Sequence, residues 1–267
     1  MAETVKLICL GDIFGAPGRQ ALKDRLKDLR AEHKADLVIA NCENAANGRG
    51  ITTKFVKELT NAGVDFFTSG NHVFGVAEIF SYLNEADTKV IRPYNMSNSS
   101  PGKGLGVVET SSGVKVGVLN LMGRIFMEPG VDLPFDAADQ ALMELNSLAD
   151  FVIVDMHAET TAEKRAMGWH LDGRVALVFG THTHVQTADE EILPGGTGFI
   201  TDLGMCGPYD SVIGTQKEII LKRFRTGLPQ RFEVASGDVR VCGIVCEIDV
   251  RLKRCKSIVR INEKLDS

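Results

Sequence analysis

The chain has 267 residues, 44% of them hydrophobic and 24% charged, with 35 acidic against 30 basic side chains and a formal net charge of −5. This composition suits a chain that buries a large core, and it excludes a disordered, collagen-like or disulfide-stapled protein. The acidic balance, with a pI near 5.7, argues against a dedicated nucleic-acid coat or a polybasic membrane binder and leaves a small phosphate-bearing substrate open.

The first apolar run carries one lysine and is followed at once by an aspartate. Lacking a basic leader and a longer apolar stretch, it reads as a first strand at 5–11 rather than a signal peptide. A glycine-rich loop at 11–18 leads into an amphipathic helix at 20–33. A strand at 36–41, a helix at 52–63 that stops on Gly63 and a strand at 64–70 come next. Continuous apolar strands alternating with helices signal a buried parallel sheet. Residues 92–106 are rich in turn formers and read as a loop. A strand at 114–123, a helix from Asp136 to Ala149 and strands at 150–157 and 174–184 continue the alternation. His33 and His170 fall in helical stretches and read as surface residues.

The last third changes character, with a hairpin at 188–204 around Pro194-Gly195-Gly196 and two adjoining antiparallel strands within 237–261. A single domain over 1–267 is the economical reading, and 122–135 is a candidate cap insert over a site. No apolar run reaches the roughly 18–20 residues of a membrane span. The six cysteines form no C-x-x-C pair and read as buried, reduced thiols of a cytoplasmic protein. The basic stretches 222–225 and 251–254 read as solvated faces, and no aromatic interleaving supports a nucleic-acid platform.

Polar residues gather where the strands stop. Gly11-Asp12, Asn41-Cys42-Glu43-Asn44, Gly70-Asn71-His72, His157 and Thr181-His182-Thr183-His184 each follow an apolar run. In an open α/β sheet the carboxyl ends of parallel strands share one edge, so carboxylates, amides and imidazoles would converge there. Oxygen and imidazole donors in one place are what a two-metal centre requires, since a carboxylate bridges ions about 3.5–4 Å apart. Taken alone, Asp12 is an ordinary cap and Asn41-Cys42-Glu43-Asn44 ordinary turn chemistry. His182 and His184, one residue apart in an extended segment, would point to the same side and could bind adjacent metals. Residues 11–18 lack the Lys-Ser/Thr ending of a P-loop. Residues 47–52 either present backbone amides and the Arg49 guanidinium to a phosphate or form a plain loop capped by Thr52.

The order Asp12, Glu43-Asn44, Gly70-Asn71-His72, His157 and Gly180-Thr181-His182-Thr183-His184 resembles the calcineurin-like metallophosphoesterases, and more closely their YmdB-like branch of bacterial phosphodiesterases. The resemblance runs through 11–19, 41–52, 68–74, 154–189 and 200–208. Two positions depart from the wider superfamily: Phe14 stands where it has an imidazole ligand, and Glu43 where it has a bridging aspartate. Both are the pattern of the branch. The resemblance implies an α/β fold with central β-sheets packed as a sandwich, helices on the outside and antiparallel β additions in the C-terminal third. It implies two divalent metals per chain, iron by preference with manganese or zinc tolerated. Asp12 and His184 would hold the first, Asn71, His157 and His182 the second, and Glu43 would bridge. Asn44 is implied as a metal ligand or a phosphate contact, and His72 as the group that stabilises or protonates the leaving oxygen. The implied reaction is attack by a metal-activated hydroxide on the phosphorus of a 2′,3′- or 3′,5′-cyclic nucleotide. A homo-oligomer is implied as well. The competing readings are a phosphomonoesterase or nucleotidase with the same centre, and a metal-binding regulatory protein with vestigial catalysis.

Overall fold

The computed structural model describes residues 3–128 and 130–265. In chain order it contains β1 (Thr4–Leu10), β2 (Asp12–Ile13), α1 (Gly15–His33), β3 (Leu37–Asn41), α2 (Thr53–Ala62), β4 (Phe66–Thr68), α3 (Ile79–Leu83), β5 (Leu105–Glu109), β6 (Lys115–Met122), α4 (Pro134–Leu148), β7 (Phe151–His157), α5 (Thr161–Leu171), β8 (Leu177–Thr181), β9 (Glu191–Ile192), β10 (Gly198–Ile200), β11 (Met205–Pro208), α6 (Lys217–Thr226), β12 (Val239–Asp249) and β13 (Arg254–Lys264).

The strands form two sheets flanked by helices, as the family resemblance implies, rather than one open sheet with a single edge of strand ends. One runs β2-β11-β12-β1-β3-β4, with β13 paired to β12; the other runs β5-β6-β7-β8-β10-β9. β1, β3 and β4 are mutually parallel, as are β6, β7, β8 and β10. β12 pairs antiparallel with both β1 and β13, so the C-terminal strands extend the first sheet.

Strand periodicity explains the layering. Leu7 and Cys9 on β1 face Val116 and Val118, Ile153, Leu177 and Phe179 of the second sheet, forming a core between the sheets. Ile8 and Leu10 point the other way onto Leu22 and Leu26 of α1. Leu119 and Leu121, Val152 and Val154, and Val178 pack under α4 and α5. The central strands such as β3, β7 and β8 are therefore buried on both faces, which is why their sequences are apolar without alternation. The result is a helix–sheet–sheet–helix stack in which every fully buried Leu, Ile or Phe contributes about 1.5–3 kcal/mol.

Several boundaries differ from the sequence reading. α1 starts five residues before the expected Gln20, inside the glycine-rich loop. Pro17 sits in its first turn, where a missing N–H is no loss. β5 begins at Leu105, inside the stretch read as loop. β8 ends at Thr181, so the segment after it is not extended: His182 and His184 have φ of 98° and 62°. α2 keeps its expected ends, with Thr52 capping Phe55 N and Gly63 at φ 122°. Within the candidate insert 122–135, Pro129 lies outside the described residues, Phe126 is exposed, and α4 begins at Pro134. Among the described residues no helix is long and apolar enough to cross a membrane. All six cysteines are buried and free.

Candidate metal centre

Two parallel sets of strands, one from each sheet, deliver their carboxyl ends to one place. From the first sheet come Asp12 just past β1, Glu43 and Asn44 just past β3, and Asn71 and His72 past β4. From the second come His157, the last residue of β7, and His182 and His184 beyond β8. Gly70 makes this approach possible. A Cβ there would lie 2.2 Å from His157 Nε2 and 2.4 Å from Glu43 Oε2.

The side chains meet in two groups. Glu43, His157 and His182 each offer a ligand atom, and these atoms all lie within 4.8 Å of one another. His157 Nε2 is 3.2 Å from Glu43 Oε1, 3.1 Å from Asn71 Oδ1 and 3.1 Å from His182 Nδ1. In the second group His184 Nε2 is 3.7 Å from Asp12 Oδ1 and 3.1 Å from Asn44 Oδ1. The left-handed backbone at both histidines turns His182 toward Glu43 and His184 toward Asp12. Same-side projection from a strand does not occur. Asn44 also donates from Nδ2 to Gly48 O at 2.9 Å, closing the turn that follows β3. Arg49 stands apart: it lines a neighbouring cavity with His72 and is not among the residues lining the cluster's own cavity.

A cation fits this donor set. Asp12 is fully buried and its Oδ1 has no hydrogen-bond partner, a costly arrangement unless another charge sits beside it. Thr181 Oγ1 donates to Asp155 Oδ1 at 2.7 Å, so it accepts from His157 Nδ1 at 2.9 Å. That fixes the ring and turns Nε2 toward Glu43 and His182 as a ligand atom. Imidazole and carboxylate donors together suit first-row transition metals.

The charges are tightly interlocked. Burial would raise the Asp12 and Glu43 carboxyls, but His184 and His157 outweigh it and hold both below their ordinary values. Burial would lower His157, yet the Glu43 carboxylate pushes it up to about 9. Burial and then the charge on His157 push His182 down to about 3. Burial opposes protonation of His184 too, yet the Asp12 carboxylate raises it. Burial lowers His72, whose Nδ1 has no partner and whose backbone N donates to Glu43 Oε2 at 2.9 Å.

Residues 8–261 match the family described as YmdB-like protein. The chain belongs to the YmdB-like family. It is 43% identical over 257 residues to the 2′,3′-cyclic-nucleotide 2′-phosphodiesterase of Bacillus subtilis (strain 168), covering 96% of each chain. Among solved structures it is similar to a novel phosphatase of Mycoplasma pneumoniae (TM-score 0.92, 36% identity, 99% of this chain and 95% of that one). A hypothetical protein of Thermus thermophilus is also similar (TM-score 0.89, 41% identity, 97% and 99%).

Sequence reasoning passed over several residues that build the centre in this YmdB-like chain. Asp155 is fully buried on β7 and accepts hydrogen bonds from Thr68, Thr181 and Asn41. Its signal was a lone acid in an apolar run. Asp202 anchors the His182–His184 turn by accepting from Thr183 N and Oγ1, and it is paired with the buried Lys164 at 2.6 Å. Phe14 packs edge-on to His184 with ring centres 5.4 Å apart. Phe14, noted in the sequence only for its departure from the wider superfamily, thus backs a candidate ligand. Glu159 Oε2 lies 3.1 Å from His182 Nε2 at the rim.

Proposed function

We propose that this chain is a metal-dependent phosphoric diester hydrolase that opens 2′,3′-cyclic nucleotides. The observation that carries the reading is the cluster itself: three imidazoles, two carboxylates and two amides from both sheets, of which Glu43, Asn44, His182 and His184 line an open cavity of about 350 Å³. The cyclic-nucleotide substrate rests on the 43% identical Bacillus relative.

In this reading Asp12 and His184 hold one divalent cation, Asn71, His157 and His182 hold a second, and Glu43 is shared. Iron is the preferred metal by resemblance to the family, and the N/O donor set suits it. Bound there, the cations supply charge neutralisation and acidify water. The chain's own residues do the rest. Asp155 and Thr181 fix the His157 ring, and the His72 backbone N orients Glu43. The His72 side chain lines the cavity beside the cluster with Nδ1 unpartnered. By resemblance to the family, His72 holds or delivers a proton at the leaving oxygen, an effect of about 10²–10⁴ in rate. Asn44, between His184 and the Gly48 carbonyl, serves as a ligand or a phosphate contact.

Metal-loaded protein assayed chromatographically on adenosine 2′,3′-cyclic phosphate should yield a single monophosphate. His72→Ala should keep its metal and lose turnover by about 10²–10⁴. A metal-free His72→Ala protein would overturn that role. Wild type that cleaves monoesters and leaves the cyclic diester intact would replace the proposal with a phosphomonoesterase.

A further inference from the structure

The cavity over the cluster continues into a second one of about 280 Å³. Phe14, His72 and Phe232 line both, so His72 stands at the passage between them. The second cavity differs in chemistry from the first. Apart from His72 it contains none of the first cavity's imidazoles or carboxylates; it adds Arg49 and Glu233 to the Phe232 ring that the two share.

Each of these three is under-used by the fold. Phe232 remains 49% exposed, an apolar ring in contact with water. The Arg223 guanidinium carbon lies 5.0 Å from its centre, covering part of it and leaving the rest to the two cavities. Among the described residues the Arg49 side chain makes no hydrogen bond or ion pair. Among the described residues the Glu233 carboxylate receives only a 3.4 Å contact from Gln216 Nε2. A second phosphate would meet the Glu233 carboxylate and gain nothing from the ring. A flat heteroaromatic group would stack on Phe232 and offer its donor and acceptor edges to Glu233 and Arg49.

We infer that the second cavity is the nucleobase subsite of the enzyme, with Phe232 as its stacking platform and Arg49 and Glu233 as its polar edges. This rests on the phosphodiesterase reading. The phosphate occupies the cluster, the ribose passes His72, and the base lies against Phe232. Arg49 then contacts the base rather than the phosphate.

The test compares adenosine 2′,3′-cyclic phosphate with ribose 2′,3′-cyclic phosphate, the same diester without a base, on wild type, Phe232→Ala and Phe232→Tyr. Binding of adenosine itself is followed by saturation-transfer NMR. Phe232→Ala should raise KM for the nucleotide about tenfold, leave the base-free diester within about twofold and lose adenosine binding, while Phe232→Tyr restores all three. Equal effects on both diesters, no effect on either, or adenosine bound equally by wild type and Phe232→Ala would overturn the subsite. If wild type cleaves neither diester but binds adenosine in a Phe232-dependent way, the subsite stands and the phosphodiesterase reading falls.

Discussion

The hydroxyl of Thr181 joins Asp155 to His157 through two hydrogen bonds, and a single hydroxyl proton dictates the direction of both. Replacing it with the near-isosteric valine removes the acceptor that holds Nδ1 and leaves one buried Asp155 oxygen without its donor. Thr181→Val should weaken metal binding by about 10–100-fold, read by competition with a chelating dye. Unchanged affinity would mean that the ring is held by its other contacts. At this scale the sequence was legible where a polar residue interrupts the end of an apolar run, as at Asp12, Glu43, Asn71, His157, His182 and His184. Residues whose importance comes only from a neighbour were not. Asp155 matters because Thr68, Asn41 and Thr181 arrive from other strands, and Phe14 because His184 packs against it.

Among the elements, the turns at strand ends place the candidate ligands more sharply than the strands do. Gly70 lets β4 hand its chain past His157, and any side chain there would occupy the space between His157 and Glu43. Gly70→Ala should therefore lose bound metal and activity together while far-UV circular dichroism stays native. Full metal content in that variant would show that the loop relaxes around a methyl group. The buried strands and the capped helices were readable because periodicity and caps are local. β5 was not, because its burial alternates along a half-exposed edge beside a turn-rich loop. α6 was missed because Ile220 is its only buried residue, so no apolar stripe marks it. The left-handed turn at His182 and His184 escaped because Asp202, far along the chain, holds it.

For the molecule as a whole, the candidate ligands come from two sheets joined by a hydrophobic core and a few buried hydrogen bonds such as Asn41–Asp155, so a bound cation would tie the layers together further. Stripping metal with a chelator should lower Tm by roughly 5–10 °C. That follows from about 2.7 kcal/mol of linkage at a hundredfold excess over Kd and about 2–4 °C per kcal/mol at this size. Re-addition should restore it, and a Tm indifferent to chelation would place the cation outside the folded centre. That the chain builds two sheets rather than one was beyond periodicity alone, since strands buried on both faces read the same in either arrangement. The most direct measurement is hydrolysis of bis-p-nitrophenyl phosphate against p-nitrophenyl phosphate by protein whose metals have been counted by mass spectrometry. A metal-dependent diesterase predicts two metals per chain and faster cleavage of the diester. Metal-loaded protein that cleaves neither ester, or the monoester alone, would contradict it.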